Sequence, residues 1–217
     1  MDIIENLKWR YAVKKFDSER QLSATQINTL KKAFNLTATS YGLQPLKLIV
    51  IQNKEIQKKL VAHSWNQSQI VEASHVLVIC IPDNYSTKEV KNYFDLAKKI
   101  RKTPDLVTDP FKKFLTSEIE NKTQKELSNW NKNQAYIALG NLMTVCAVEK
   151  IDACPMEGFI PEKYDEILGL KKQNLTSVLV LPIGFRAEDC YMKDLAKAEL
   201  LFPRELQKVT VQKNAVA

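Results

Sequence analysis

The stretch Arg10-Tyr11-Ala12-Val13-Lys14-Lys15-Phe16-Asp17 sets two cations, Arg10 and Lys14, four residues apart, with Tyr11, Val13 and Phe16 between and beside them. An amphipathic run, Ile3-Ile4-Glu5-Asn6-Leu7-Lys8-Trp9, leads in. If its helix continues, both cations lie on one face. The interleaved apolar residues point to partial burial. A half-buried cation needs an anion, and a phosphate-bearing ligand supplies one without a protein carboxylate. The plainer alternative is a surface helix end whose basic residues favour the C-terminal dipole. A second stretch, Thr37-Ala38-Thr39-Ser40-Tyr41-Gly42-Leu43-Gln44-Pro45, sets three hydroxyls and a glycine between a helix and a strand. That composition suits a backbone close to a ligand, or else an ordinary polar connection. Pro45 should bias Gln44 towards an extended conformation.

Other chemistry has less support. Cys80, Cys146, Cys154 and Cys190 show no Cys-x-x-Cys spacing, and Cys80 and Cys146 sit in apolar runs where a thiol acts as a small hydrophobe. With only His63 and His75 beside them, neither a zinc site nor a Cys/His nucleophile pair is indicated. The formal charge of +7 comes mostly from lysines scattered along helices among acids. No basic stripe carries stacking aromatics, so an anionic small molecule is a more economical partner than nucleic acid. A 45% hydrophobic, 26% charged chain of 217 residues is ordinary for one soluble globular domain. No run approaches a membrane span and no signal peptide is apparent, so a cytoplasmic location is expected.

The elements that must position these residues follow from periodicity and caps. Ser23-Ala24-Thr25-Gln26 is a capping box opening a helix to about Leu36, with Ile27, Leu30 and Phe34 as its buried stripe. Leu46–Ile51, Val76–Ile81 and Thr176–Gly184 read as strands buried on both faces. Asn53 caps a short helix to about His63, and Trp65–Ala73 is a second short helix or turn. A Lys-rich helix runs from Ser86 to about Arg101. Thr103–Asn121, with Pro104 and Pro110, reads as irregular, so residues 86–122 form a lid or excursion. Thr123–Lys150 is the longest helix. Its second half is apolar almost all round, which points to burial on nearly every side and to an obligate dimer seam. Ile151–Pro155 is a short strand before the turn Pro155-Met156-Glu157-Gly158-Phe159. Pro161–Leu168 is a helix stopped by Gly169, and Lys208–Gln212 is a last β-like piece. With five glycines and no Gly-x-Gly-x-x-Gly after a strand, a Rossmann domain and a P-loop are disfavoured.

Taken in order, these blocks resemble the FMN-dependent nitroreductases, in particular the oxygen-insensitive NAD(P)H nitroreductase and dihydropteridine reductase group. The blocks are Arg10–Asp17, Thr39-Ser40 with Gln44-Pro45, Ala73-Ser74-His75, Gln134, Pro155–Phe159, Leu181–Gly184 and Lys197, and they span nearly the whole chain. The resemblance implies an α+β fold, with a central, mostly antiparallel sheet packed by helices and two interlocked subunits sharing two FMN sites. It implies that Arg10 and Lys197 hold the FMN phosphate, with Tyr11 and Ala12 in the same cofactor segment. Lys14 would lie by the pyrimidine edge near N1 and O2, and Asn66 at the polar edge of the ring. Thr39, Ser40 and Gln44 would come from the facing subunit, and Gln134 would serve the ribityl chain. Pro155, Met156, Glu157 and Gly158 would lie against the isoalloxazine, with a backbone N–H near Glu157 aimed at N5. Lys14 and Glu157 are thus the expected catalytic positions, and no acid–base dyad is required.

The chain departs from the family pattern at four places. Ala12 stands where Ser is frequent, Gln69 where a second basic residue lies near the pyrimidine edge, Leu46 where an aromatic is common, and Glu199 where an Arg often helps hold phosphate. The resemblance implies hydride transfer from NADH or NADPH through flavin N5 to nitroaromatics, quinones or a related small acceptor, in ping-pong fashion. A slow flavin-binding storage or sensor protein is the alternative, and a nucleic-acid module is favoured by charge alone.

Overall fold

The computed structural model describes residues 2–198. Glu199, Arg204 and the expected β-like piece at Lys208–Gln212 lie outside them. Four strands, β1 (Lys47–Ile51), β2 (His75–Pro82), β3 (Asp152–Ala153) and β4 (Leu175–Gly184), form one sheet in the order β1-β2-β4-β3. Every strand pair is antiparallel. The sheet alternates as a two-sided core should. Val76, Val78 and Cys80 of β2 face one hydrophobic cluster, and Leu77, Ile79 and Ile81 face the other. The first cluster is closed by α3 (Lys54–Val61), α4 (Gln69–Glu72) and α8 (Pro161–Leu168), with Leu60, Ile70 and Tyr164 buried there. The second is closed by α2 (Ala24–Asn35) and α7 (Gln124–Val148), with Leu30, Ala138 and Leu142 buried there.

Local chemistry explains most boundaries. Ser23 and Gln26 form the capping box at α2, which buries Ile27, Leu30 and Phe34. Asn53 caps α3 by accepting from the Ile56 N–H, and Ser86 and Thr123 form capping boxes at α5 (Thr87–Arg101) and α7. Gly169 ends α8 at φ 63, a left-handed turn that glycine adopts without strain.

Four expectations fail for identifiable reasons. First, β1 is not buried on both faces. Among the described residues it pairs only with β2 and forms the sheet edge, where Lys47 is exposed and Leu48, Ile49 and Val50 are half-buried. Second, residues 103–121 are not irregular, because Asp105–Glu120 is a helix, α6, with Pro110 inside it. Proline removes one helical hydrogen bond there, but Leu115 and Ile119, one turn apart, seal a third cluster with Val90 and Phe94 of α5. The excursion is therefore a helical hairpin. Third, α1 (Ile3–Trp9) does not carry on through Arg10, which is extended at φ −75, ψ 148. Ala12 instead bridges Ala153, the Val13 N–H donates to the Ala153 carbonyl at 3.3 Å, and Phe16 bridges Arg186. Sheet-edge pairing has replaced helix propagation. Fourth, Gln44 takes φ 46 rather than an extended φ. Its N–H donates to Thr39 Oγ1 at 3.0 Å and its side chain to the Asn35 carbonyl at 2.7 Å, which over-determine the turn.

Candidate functional site

The segment after α1 is fixed from behind. Asp152, itself buried, pairs with Arg186 at 2.6 Å, and the Arg186 guanidinium lies 4.2 Å over the Trp9 ring and 4.5 Å over Tyr11. That stack holds the Arg10–Phe16 segment against β3. Arg10 and Lys14 are half-buried on it, and neither makes an ion pair among the described residues. Lys15, next along the chain and exposed, is paired with Asp189. The Lys14 ammonium reaches only the Cys154 thiol, at 3.9 Å. Burial pushes that thiol above its ordinary pKa against the pull of Lys14, so it stays neutral near pH 7. Lys197 donates to the Leu7 carbonyl at 2.6 Å, which sets it against the last turn of α1, just before Arg10.

The turn after β3 lies beside this segment. Met156 is clamped to β4 in both directions, its N–H to the Val180 carbonyl at 2.8 Å and the Val180 N–H to its carbonyl at 3.1 Å. Neither the Glu157 nor the Gly158 peptide N–H donates to an acceptor among the described residues. Gln67 donates to the Gly158 carbonyl at 3.4 Å, joining this turn to the one at 65–67. There Trp65 and Asn66 have φ 54 and 56, left-handed values that non-glycine residues keep only where surroundings enforce them. The Trp65 ring lies so close to Gly158 that a Cβ at 158 would stand 2.7 Å from it, so only glycine permits the contact. Gln69 is buried at the start of α4, whose Glu72 carboxylate accepts from the Phe16 N–H at 3.2 Å. Arg10, Tyr11 and Pro155 thus line one crevice, Ala12 pairs with Ala153, and Lys14 stands against Cys154. Lys197, Asn66 and Gln69 join this region through Leu7, Gln67 and Glu72 respectively.

The remaining expected residues form a second group. The Gln134 side-chain Oε1 accepts from the Ser40 N–H at 2.8 Å, and Thr39 closes the same turn onto Gln44. Tyr41, at φ 58, turns its ring to Phe111 and Phe114 of α6 at 6.2 and 6.5 Å. The two groups meet different flanks of α7. Gln134 touches the second, while the Tyr136 hydroxyl donates to Glu157 of the first at 2.7 Å. Residues two apart on a helix point ~200° apart, so one chain turns the groups away from each other.

Three residues escaped the sequence reading. Trp65 was placed only in a turn, Tyr41 only in a polar connection, and Tyr136 only in an apolar run. Their signal is tertiary. Each is a large ring left substantially exposed, Trp65 at 73%, beside a residue the pattern did single out.

Several unmet groups test what the first neighbourhood fits. Besides the two cations and two peptide donors, the Tyr11 hydroxyl is buried with no hydrogen-bond partner, only the weakly accepting Cys190 thiol facing it. Half-buried cations beside aimed donors, with a glycine where a side chain would intrude, fit a flat, hydrogen-bonding, phosphate-bearing ligand. Within one chain the crevice lined by Arg10, Tyr11, Ala153 and Pro155 is only about 10 Å³. A cavity of about 340 Å³ lies elsewhere, between α2 and the β1 edge near His75. Among the described residues no cluster of acids, cysteines and histidines could hold a metal, and no helix is long and apolar enough to cross a membrane.

Residues 7–185 match the model of the nitroreductase family. A Staphylococcus haemolyticus protein provisionally named an NAD(P)H nitroreductase is 33% identical over 195 residues, covering 86% of this chain and 89% of that one. A Bacillus subtilis nitroreductase-type structure superposes with TM-score 0.81 at 18% identity, over 93% of this chain and 94% of that one. A nitroreductase-type structure from Exiguobacterium sibiricum, solved in complex with FMN, gives TM-score 0.80 at 21% identity, over 92% and 93%.

Proposed function

The chain belongs to the nitroreductase family, and on that premise we propose that it is an FMN-dependent NAD(P)H oxidoreductase working as a homodimer. The observation that carries this reading is the pair of half-buried cations, Arg10 and Lys14, without acidic partners among the described residues, on the segment next to the turn whose Glu157 and Gly158 N–H groups are undonated there. Bound there, FMN supplies N5 as the atom that takes hydride from NADH or NADPH and returns it to a nitroaromatic, quinone or related small acceptor.

The chain's own groups hold and tune that cofactor. Arg10 and Lys197 hold the phosphate, Lys14 neutralises charge gathering at the pyrimidine edge, and Asn66 binds the polar edge of the ring. Glu157 and Gly158 offer peptide donors at N5. Gln69 contributes its amide where a second cation is absent. Thr39, Ser40, Gln44 and Gln134 complete the site from the second subunit, consistent with the opposed flanks of α7. Donor and acceptor then use the same open face in turn, which gives ping-pong kinetics without a protein acid–base pair.

The test is spectroscopic. Purified protein supplied with FMN should retain a flavin band near ~450 nm, and NADH or NADPH should bleach it under anaerobic conditions. Retained colour without bleaching would favour a storage or sensor protein. Failure to retain FMN would overturn the reading.

A further inference from the structure

We propose that Tyr136 is a positioning residue for the flavin, acting through the Glu157 side chain to aim the Gly158 peptide donor. This rests on the flavin reading given above.

The turn at 155–158 is held unevenly. Its first half is part of the sheet, since Cys154 donates to the Pro182 carbonyl at 3.0 Å and Met156 exchanges two bonds with Val180. Its far end is tied by the Phe159 N–H to the Glu157 carbonyl at 2.9 Å and by Gln67 to the Gly158 carbonyl at 3.4 Å. The Glu157 N–H shares its peptide plane with the Met156 carbonyl, which the Val180 N–H already holds. The Gly158 N–H lies in the next plane, whose Glu157 carbonyl is tied only to Phe159, and Gly158, having no Cβ, restrains it little. The Glu157 side chain is exposed and could sweep freely, yet its carboxylate accepts from the Tyr136 hydroxyl at 2.7 Å. That bond ties the residue to α7 as well as to the sheet.

Tyr136 suits the task. It stands on α7, the longest helix, whose neighbours Ala135 and Ala138 are fully buried, so its ring is carried on a rigid base. Its phenol is held above its ordinary pKa, chiefly by the bond to Glu157, and so remains a donor throughout the neutral range. A hydroxyl already committed to a carboxylate is also a poor candidate for direct proton delivery, which leaves positioning as its role. A peptide donor aimed at N5 favours the oxidised ring, whose N5 accepts, over the reduced ring, whose N5 carries a proton. Loosening the Gly158 donor should therefore make the flavin easier to reduce.

The experiment measures the two-electron midpoint potential of FMN in wild type, Tyr136→Phe, Glu157→Ala and the double variant. Tyr136→Phe should shift the ratio of reduced to oxidised FMN three- to tenfold towards reduced, ~15–30 mV for a two-electron couple. The same substitution should be silent in the Glu157→Ala background, where charge effects of residue 157 are common to both members. An equal shift in both backgrounds, or a loss of thermal stability with an unchanged potential, would overturn the proposal while leaving the flavin reading intact. Failure of the wild-type protein to take up FMN would instead overturn the flavin reading, and this proposal with it.

Discussion

At the scale of single residues, Lys14 is the most informative. Its ammonium has no carboxylate within the described structure and touches only a neutral thiol, so its charge is unspent until an anion arrives. Reduction of flavin at neutral pH creates one near N1. Lys14→Ala should therefore make the midpoint potential more negative and slow reduction by NAD(P)H more than it weakens FMN binding. An unchanged potential at full FMN occupancy would remove Lys14 from the pyrimidine edge. Asn131 tests packing rather than chemistry. It is fully buried on α7 and neither of its amide atoms has a partner. An unpaired buried amide costs about 1–3 kcal/mol, so Asn131→Leu should raise the unfolding free energy by a similar amount. A drop in stability on chemical denaturation would contradict this. His75 governs pH response. Burial first, then Lys54 and Lys31, hold its pKa below the ordinary value, while Ser74 Oγ lies 2.8 Å from Nδ1. Native imidazole stays neutral where the unfolded chain begins to take up a proton, at about 6.5. Its contribution is then complete above that pH and is lost as pH falls towards the depressed native value. His75→Gln should flatten the acid limb of stability below about pH 6.5, and an unaltered limb would argue against it.

At the scale of elements, α7 has two characters. Leu142 is fully buried within one chain, so a charge there would unfold the subunit whether or not a partner exists. Ile137, 48% exposed beside Tyr136, is the sharper probe of a subunit seam. An isolated surface substitution changes stability by about 0.5 kcal/mol or less, so Ile137→Glu should be harmless to a monomer. The dimer reading expects it to yield dissociated or insoluble protein with poor FMN retention on size-exclusion chromatography. A soluble, FMN-bound dimer in that variant would contradict the seam. Elements also show where sequence was readable. The caps at Ser23 and Asn53, the helix starts at Ser86 and Thr123, the buried run of β2 and the stop at Gly169 are local signals, and each appears where the residues placed it. The halt of α1 at Trp9, the helix through Pro110 and the left-handed Gln44 were not readable. Each is decided by a contact the local pattern does not show, namely with Ala153, with the α5 face, and with Thr39 and Asn35. The site divides the same way. Residue types at Arg10 and Lys14 pointed to an anionic ligand and the family resemblance alone to 155–158, while the Tyr136–Glu157 bond appears only when α7 meets the turn.

At the scale of the whole molecule, one chain carries the two groups of candidate residues on different flanks of α7, and the proposed dimer would join each to its complement across a two-fold axis. That arrangement makes cofactor, dimer and activity one claim. The most direct measurement is an anaerobic single-turnover experiment on FMN-reconstituted protein, freed of excess flavin. One equivalent of NADH or NADPH is added first, the oxidised nicotinamide is removed, and a quinone or nitroaromatic then follows. The expected result is full bleaching with donor alone and full return of the flavin band with acceptor alone, since the two half-reactions share one site in turn. Flavin that bleaches only when donor and acceptor are present together, or that does not bleach at all, would contradict it.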